Sequence, residues 1–240
     1  MNRSLLACAA ASAVLSVGAI AGCDWMPGRP KADAVELRPD AVKSFAMLYA
    51  ENCAACHGPS GRGGAGAIGL ANPVYLAIAD DTVIRRAASD GIGGTQMSAF
   101  AQSSGGMLTA AQIEILVKGI RGWAKPGALG GAEPPPYAGE TGDAGRGAAV
   151  YAKFCASCHG TAGGGGPKAG SIVDGTFLGL VSDQSLRTTV IAGRPDIGQP
   201  DWRNDVAGEA LTARDVSDVV AWLAVRRPAT PGQPYPESKP

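Results

Sequence analysis

The chain is 240 residues long and carries 21 basic and 21 acidic side chains, so it has no formal net charge. That balance leaves no basic excess of the kind that suggests nucleic-acid binding. The length is too great for one small domain and comfortable for two, and 35 glycines against 5% aromatic residues imply cores that side chains alone do not fill.

Arg3 is the one charge before Asp24, and Ser4 to Gly22 are apolar or small. Residues 1–22 therefore read as an export signal with a short basic region and an apolar core. The segment ends in Ile20-Ala21-Gly22-Cys23, which resembles the lipobox of bacterial lipoproteins. By that resemblance the chain is cut before Cys23, which becomes the lipid attachment site, and Cys8 leaves with the signal. Asp24 after the lipidated cysteine resembles a signal for retention in the inner membrane. An uncleaved transmembrane anchor is the alternative, because the apolar run is just long enough to span. Either reading puts the remaining chain on the periplasmic side of the bacterial inner membrane. Residues 23–39 are then a tether.

A first helix is expected from Asp40, a capping residue, with Val42, Phe45 and Tyr49 on one face. It leads into Cys53-Ala54-Ala55-Cys56-His57. C-x-x-C-H is the attachment signal for a c-type haem: the cysteines form thioethers to the porphyrin, and the adjoining His ligates the iron. A glycine-rich loop, Gly61 to Gly69, follows. It lacks the order of a phosphate-binding loop, and glycine suits backbone packed close to a flat ring. A short helix from about Asp81 to Ser89 stops at Gly91. Thr109-Ala110-Ala111-Gln112 is a capping box for a closing helix with Ile113, Leu116, Val117 and Ile120 as its buried stripe.

Residues 125–142, with Pro134-Pro135-Pro136, read as a stiffened linker. The same series then recurs. A shift of 102 positions places Tyr49 on Tyr151, Cys53 on Cys155, His57 on His159, Asp81 on Asp183, Arg85 on Arg187 and Gly91 on Gly193. Such self-similarity marks a duplicated unit. In the second copy Asp143 caps the first helix, with Ala148, Tyr151 and Cys155 facing inward. The motif is Cys155-Ala156-Ser157-Cys158-His159, and the glycine-rich loop runs from Gly163 to Gly170. A short helix spans about Ser182 to Ile191, and Thr212 opens a closing helix striped with Val216, Val219, Val220 and Leu223. The expected fold is all-α, with domains at 40–124 and 143–227 and a proline-rich tail at 228–240. The two motifs contain both histidines of the chain. A zinc site would need its cysteine pairs closer in sequence, and a redox-active dithiol would need a βαβ pattern that is absent here.

The order of helix, C-x-x-C-H, glycine-rich loop, short helix, methionine loop and closing helix resembles class I cytochrome c. More narrowly, the pair resembles the di-haem cytochromes that serve bacterial haem–copper oxidases and quinol-oxidising complexes. The resemblance covers about Asp40 to Trp123 and Asp143 to Arg227. It implies two covalent haem c groups and a methionine sulfur opposite each histidine. In the first copy that residue is Met97, which lies 40 residues beyond His57. Its rivals Met47 and Met107 fall outside the loop that must cross the distal face.

The equivalent position, 40 residues beyond His159, is Gln199, and no methionine follows Met107. Three readings stay open for the second iron: weak ligation by the Gln199 amide oxygen, an open position for water or a small molecule, or a nitrogen donor such as Lys168. The resemblance implies a membrane-tethered electron carrier between quinol–cytochrome c reductase and a terminal oxidase or other periplasmic reductase. Two rival readings are a haem enzyme or small-ligand sensor at the second iron, with Arg194 and Asp196 nearby in sequence, and a fixed cytochrome subunit of a larger respiratory complex.

Overall fold

In a computed structural model that describes residues 37–64, 66–204, 206 and 208–229, the chain forms helices wherever a side chain can cap them. The first copy contains α1 (Phe45–Asn52), α2 (Ala54–His57), α3 (Pro73–Ile78), α4 (Asp81–Asp90) and α5 (Ala110–Arg121). The second contains α6 (Ala144–Phe154), α7 (Ala156–His159), α8 (Gly175–Gly179), α9 (Asp183–Ala192) and α10 (Ala213–Ala224). Among the described residues there are isolated β-bridges but no strands. The all-α expectation holds. The expected signal segment with Cys8, the lipid site Cys23 and most of both the tether and the tail lie outside the described residues.

The capping residues decide where each helix begins. Ser44, not Asp40, caps α1, its Oγ accepting from the Met47 N–H at 3.4 Å. Asp40 belongs instead to a 3-10 turn at Pro39–Ala41. Val42 stays outside the helix with its carbonyl accepting from Gln112 Nε2 at 3.2 Å. Asp143 does cap α6 through the Arg146 N–H at 2.8 Å. The inward face of α6 carries Gly147, Val150 and Tyr151, while Ala148 is exposed. Spacings of three and four residues share a helix face, which leaves Ala148 a hundred degrees off it. Two helices escaped the periodic reading because they are barely a turn long. Asn72 Oδ1 caps α3 by accepting from Val74 and Tyr75, and Asp174 caps α8 by accepting from Thr176 and Phe177.

In each copy the first long helix packs on the last, and the two copies solve that crossing in opposite ways. Gly119 on α5 faces Phe45 at the start of α1, and an added Cβ would overlap the Phe45 ring. In the second copy Phe45 becomes Gly147 on α6, and with the closing helices aligned on their caps, Thr109 on Thr212, Gly119 becomes Trp222 on α10. A Cβ on Gly147 would strike the Asp218 carbonyl and approach the Trp222 Cβ to 2.7 Å. The large and the small residue have exchanged helices while the crossing is kept, as close packing of the interior requires.

Both copies lie within one compact unit. Helix α3 of the first packs on α9 of the second, and Asn72 Nδ2 donates to the Ala192 carbonyl at 2.8 Å. The linker is fastened as well. Arg187, only 5% exposed, donates to the carbonyls of Pro136 and Tyr137 and to Ser217 Oγ. Its counterpart Arg85 pairs with Glu114 on α5 instead.

The reciprocal crossing sets an expectation for stability. Gly147→Ala should cost about 1–3 kcal/mol, because its new methyl meets backbone that can move only with the helix. Gly119→Ala should cost less, since the Phe45 ring can tilt and the helix gains about 1 kcal/mol of propensity. Chemical denaturation of the two variants measures both; equal losses would show that the crossing is not held rigidly in the second copy.

Candidate haem sites

Each C-x-x-C-H motif is a single helical turn set on the end of a longer helix. The Cys53 N–H closes α1 on the Tyr49 carbonyl at 2.9 Å, and its own carbonyl accepts from His57 N–H at 2.9 Å. Cys155 repeats this with Tyr151 at 2.9 Å and His159 at 3.0 Å. The backbone angles agree closely, φ −119° and ψ −35° at Cys53 against φ −119° and ψ −32° at Cys155. A spacing of three puts both thiols of a motif on one side of the turn, and the histidine follows at once.

The glycine-rich loops hold the histidine rings. Nδ1 of His57 lies 2.8 Å from the Ile68 carbonyl, and Nδ1 of His159 lies 2.9 Å from the Gly170 carbonyl. A carbonyl only accepts, so Nδ1 carries the proton and Nε2 keeps the lone pair that a metal needs. Burial holds His57 below the ordinary histidine pKa; the Ile68 bond works against this, and the Arg194 charge adds to it. Tyr49 Oη donates to the Gly58 carbonyl at 2.9 Å, and Tyr151 Oη donates to Gly160 in the same way. The residue after each histidine is thereby fixed from the long helix.

Neither pair of motif cysteines is joined in a disulfide. Burial, and then the neighbouring Cys56, pushes Cys53 up to about 11. Burial and Cys158 push Cys155 up to about 11. A redox-active dithiol works in the opposite direction, with a lowered thiol pKa. Among the described residues, moreover, no three His, Cys, Asp or Glu side chains converge in a way that could hold a metal ion. Two thiols on one turn, beside an imidazole with Nδ1 tied and Nε2 free, fit a haem c attached through Cys53 and Cys56, with a second through Cys155 and Cys158.

The loops expected to cross the distal faces are built alike. Ile92 N–H donates to the Met97 carbonyl at 2.9 Å, and Arg194 N–H donates to the Gln199 carbonyl at 3.0 Å. Both return against a glycine that ends the preceding helix. Gly91 has φ +71° and would bring a Cβ to 2.5 Å from the Met97 carbonyl oxygen. Gly193 has φ +68° and would bring one to 2.6 Å from Pro200. Left-handed backbone with this close approach admits only glycine at low cost. The structure thus places Met97 and Gln199 at equivalent points of equivalent loops.

The other candidates are placed elsewhere. Met47 is 43% exposed on α1, and Met107 is 79% exposed. Lys168 is exposed on the glycine-rich loop whose Gly170 holds His159, which is the histidine side of the site. Gln199 Nε2 donates to the Thr189 carbonyl at 3.2 Å, and its Oε1 is the end that can only accept. Arg194 and Asp196 pair with each other at 2.7 Å. The arginine also reaches Gly64 of the first copy at 3.0 Å. The roles of the Ile68 and Gly170 carbonyls are invisible in the sequence, because a backbone acceptor has no residue signature.

A family model described as "Cytochrome C oxidase, cbb3-type, subunit III" matches residues 40–118 and again 142–223. The chain is 32% identical over 166 residues to "Cbb3-type cytochrome c oxidase subunit FixP" of Azorhizobium caulinodans, covering 65% of this chain and 51% of that one. It is 34% identical over 145 residues to "Cbb3-type cytochrome c oxidase subunit CcoP" of Azospirillum sp. (strain B510), covering 56% of this chain and 44% of that one. The chain spans about half the length of these curated relatives. A solved structure, the Kuenenia stuttgartiensis reducing HAO-like protein complex Kustc0457/Kustc0458, covers 81% of the chain at 18% identity with a TM-score of 0.39, too distant a likeness to inform the fold. Because the family model takes in both copies and most of the chain, the chain belongs to the cbb3-type cytochrome c oxidase subunit III family.

Proposed function

We propose that the chain is a di-haem electron-transfer subunit that delivers electrons within a terminal oxidase complex. The observation that carries this is the pair of identically built C-x-x-C-H turns, each with its histidine Nδ1 tied to a loop carbonyl. Haem c, once attached, supplies a one-electron couple between ferrous and ferric iron. The protein does the rest. Cys53, Cys56, Cys155 and Cys158 fix the rings, and His57 and His159 offer Nε2. The loops at Met97 and Gln199 close the other faces.

The family likeness favours a subunit of a complex over a freely diffusing carrier, and quinol–cytochrome c reductase is the donor that fits the resemblance. Cys23, as the lipid-bearing N-terminus, would tether the chain on the periplasmic side. No helix among the described residues is long and apolar enough to cross a membrane.

Met97 would supply a thioether to an iron bound in the first copy, a ligand that raises its potential. In the second copy Gln199 Oε1 or water would be the weaker donor. Lys168 is the poorer choice, since its loop lies with His159. The enzyme reading loses its acid–base groups, because Arg194 and Asp196 are engaged with each other and with the first copy.

Mass spectrometry of the exported protein should show two haem additions that survive denaturation, and a Cys155→Ala, Cys158→Ala double variant should show one. A parent protein without covalent haem would end this reading. Spectroscopy should find a low-spin haem beside Met97 and a wholly or partly high-spin haem beside Gln199 that binds carbon monoxide when reduced. Gln199→Met should convert the second toward the first, because the backbone position already matches; a variant spectrally identical to its parent would mean that another side chain holds the iron. Cys23→Ser should leave both haems attached but release the protein from membranes or leave its signal uncut. Unchanged processing and retention would argue for a spanning anchor instead.

A further inference from the structure

Arg194 stands in the loop that presents Gln199, yet its side chain serves the other copy. Its backbone pairs with Gln199 in both directions at 3.0 Å. Its guanidinium donates to the Gly64 carbonyl at 3.0 Å. Gly64 is packed so tightly on the first haem motif that a Cβ would lie 3.1 Å from the Cys56 carbonyl oxygen. Next to it, Gly63 N–H donates to the His57 carbonyl at 2.9 Å.

Asp196 completes the arrangement. It accepts from Arg194 at 2.8 and 2.7 Å, and its carboxyl would lie 2.7 Å from a Cβ on Gly63. The arginine side chain is 9% exposed and the aspartate 18%. Charges so withdrawn from water are poorly screened by salt. The first copy does not return the gesture: the residue equivalent to Arg194 is Ile92.

We propose that the charge of Arg194 is the means by which the second copy sets the reduction potential of the haem in the first, with Asp196 orienting and moderating that charge. Reduction adds one electron from the redox partner to the iron and changes no bond or proton, so the charge of the group falls by one. A fixed cation nearby favours that reduced state. The inference rests on the di-haem reading above.

The test is a spectroelectrochemical titration of the full holoprotein, resolving the two haems by their spectra. Arg194→Gln keeps an N–H donor for Gly64 but removes the charge. It should lower the equilibrium constant for reducing the first haem by about threefold to tenfold, tenfold being ~59 mV for one electron. Asp196→Asn leaves the cation unopposed and should shift the same constant upward. Arg194→Lys should stay near the parent, and the second haem should move less in every variant. A purely structural clamp would instead send the Gln and Asn variants the same way, together with a lower thermal midpoint. That result, or unmoved potentials with both haems attached, overturns the inference alone. A parent lacking covalent haem overturns it together with the proposed function.

Discussion

A backbone carbonyl accepts hydrogen bonds and never donates them, and the two sites depend on that asymmetry. Ile68 and Gly170 force each motif imidazole to carry its proton on Nδ1. The ring orientation, the free nitrogen and the course of the glycine-rich loop are then fixed together. Had a carboxylate stood in place of either carbonyl, the histidine would gain basicity and anionic character, with consequences for any bound iron. A neutral carbonyl gives orientation with a milder push. The cost is that the loop must come close to the motif turn, and Gly64 and Gly166 supply backbone without side chains where a Cβ would lie 3.1 Å from the Cys56 carbonyl oxygen and 2.7 Å from that of Cys158.

Duplication has preserved backbone constraints and released side chains. The bonds from Ile92 to Met97 and from Arg194 to Gln199 coincide in position, while the side chains at 97 and 199 differ in kind. Arg85 and Arg187 occupy matching places, yet one forms a half-exposed ion pair with Glu114 and the other disappears beneath the linker. The exchange of Phe45 and Gly119 for Gly147 and Trp222 shows the same freedom in the core. What selection of a fold requires is that volumes and backbone partners match at each contact, whichever helix provides them. The two copies can therefore differ in the side chain at one loop position without either losing its frame.

The features legible in the sequence were those written in residue identity. The capping box at Thr109, the helix start at Thr212 and the glycines closing α4 and α9 each carry a local signature, and the structure has helix ends at each of them. The cap of α1 was misread because two capping residues, Asp40 and Ser44, stand four apart, and a long-range bond from Gln112 to Val42 decides between them. Ala148 was misplaced because glycine at 147 hides the true inward face from a reading based on side-chain hydrophobicity. The docking of the two copies left no local trace at all. Asn72 reads as a helix cap, which it is, and nothing in its neighbourhood announces that its amide nitrogen also reaches Ala192.

The Arg194 and Asp196 pair raises a question that stability does not answer. Removing two charges from water costs about as much as their attraction returns, so apolar side chains of similar volume often serve folding equally well. An apolar pair, however, tolerates sliding, and this contact does not. The guanidinium must meet the Gly64 carbonyl while its other edge lies along the Asp196 carboxyl. The partner on the first copy, Gly64, belongs to the stretch that packs on Cys56 and His57. Asn72 adds a second directional bond to the end of α9, the helix that leads directly into the Arg194 loop. Two directional contacts from a single loop-and-helix element fix translation and rotation where an oily patch would fix only proximity. A register set this firmly is what constant separation between two redox centres requires, and it ties the loop carrying Gln199 to the loop that holds His57.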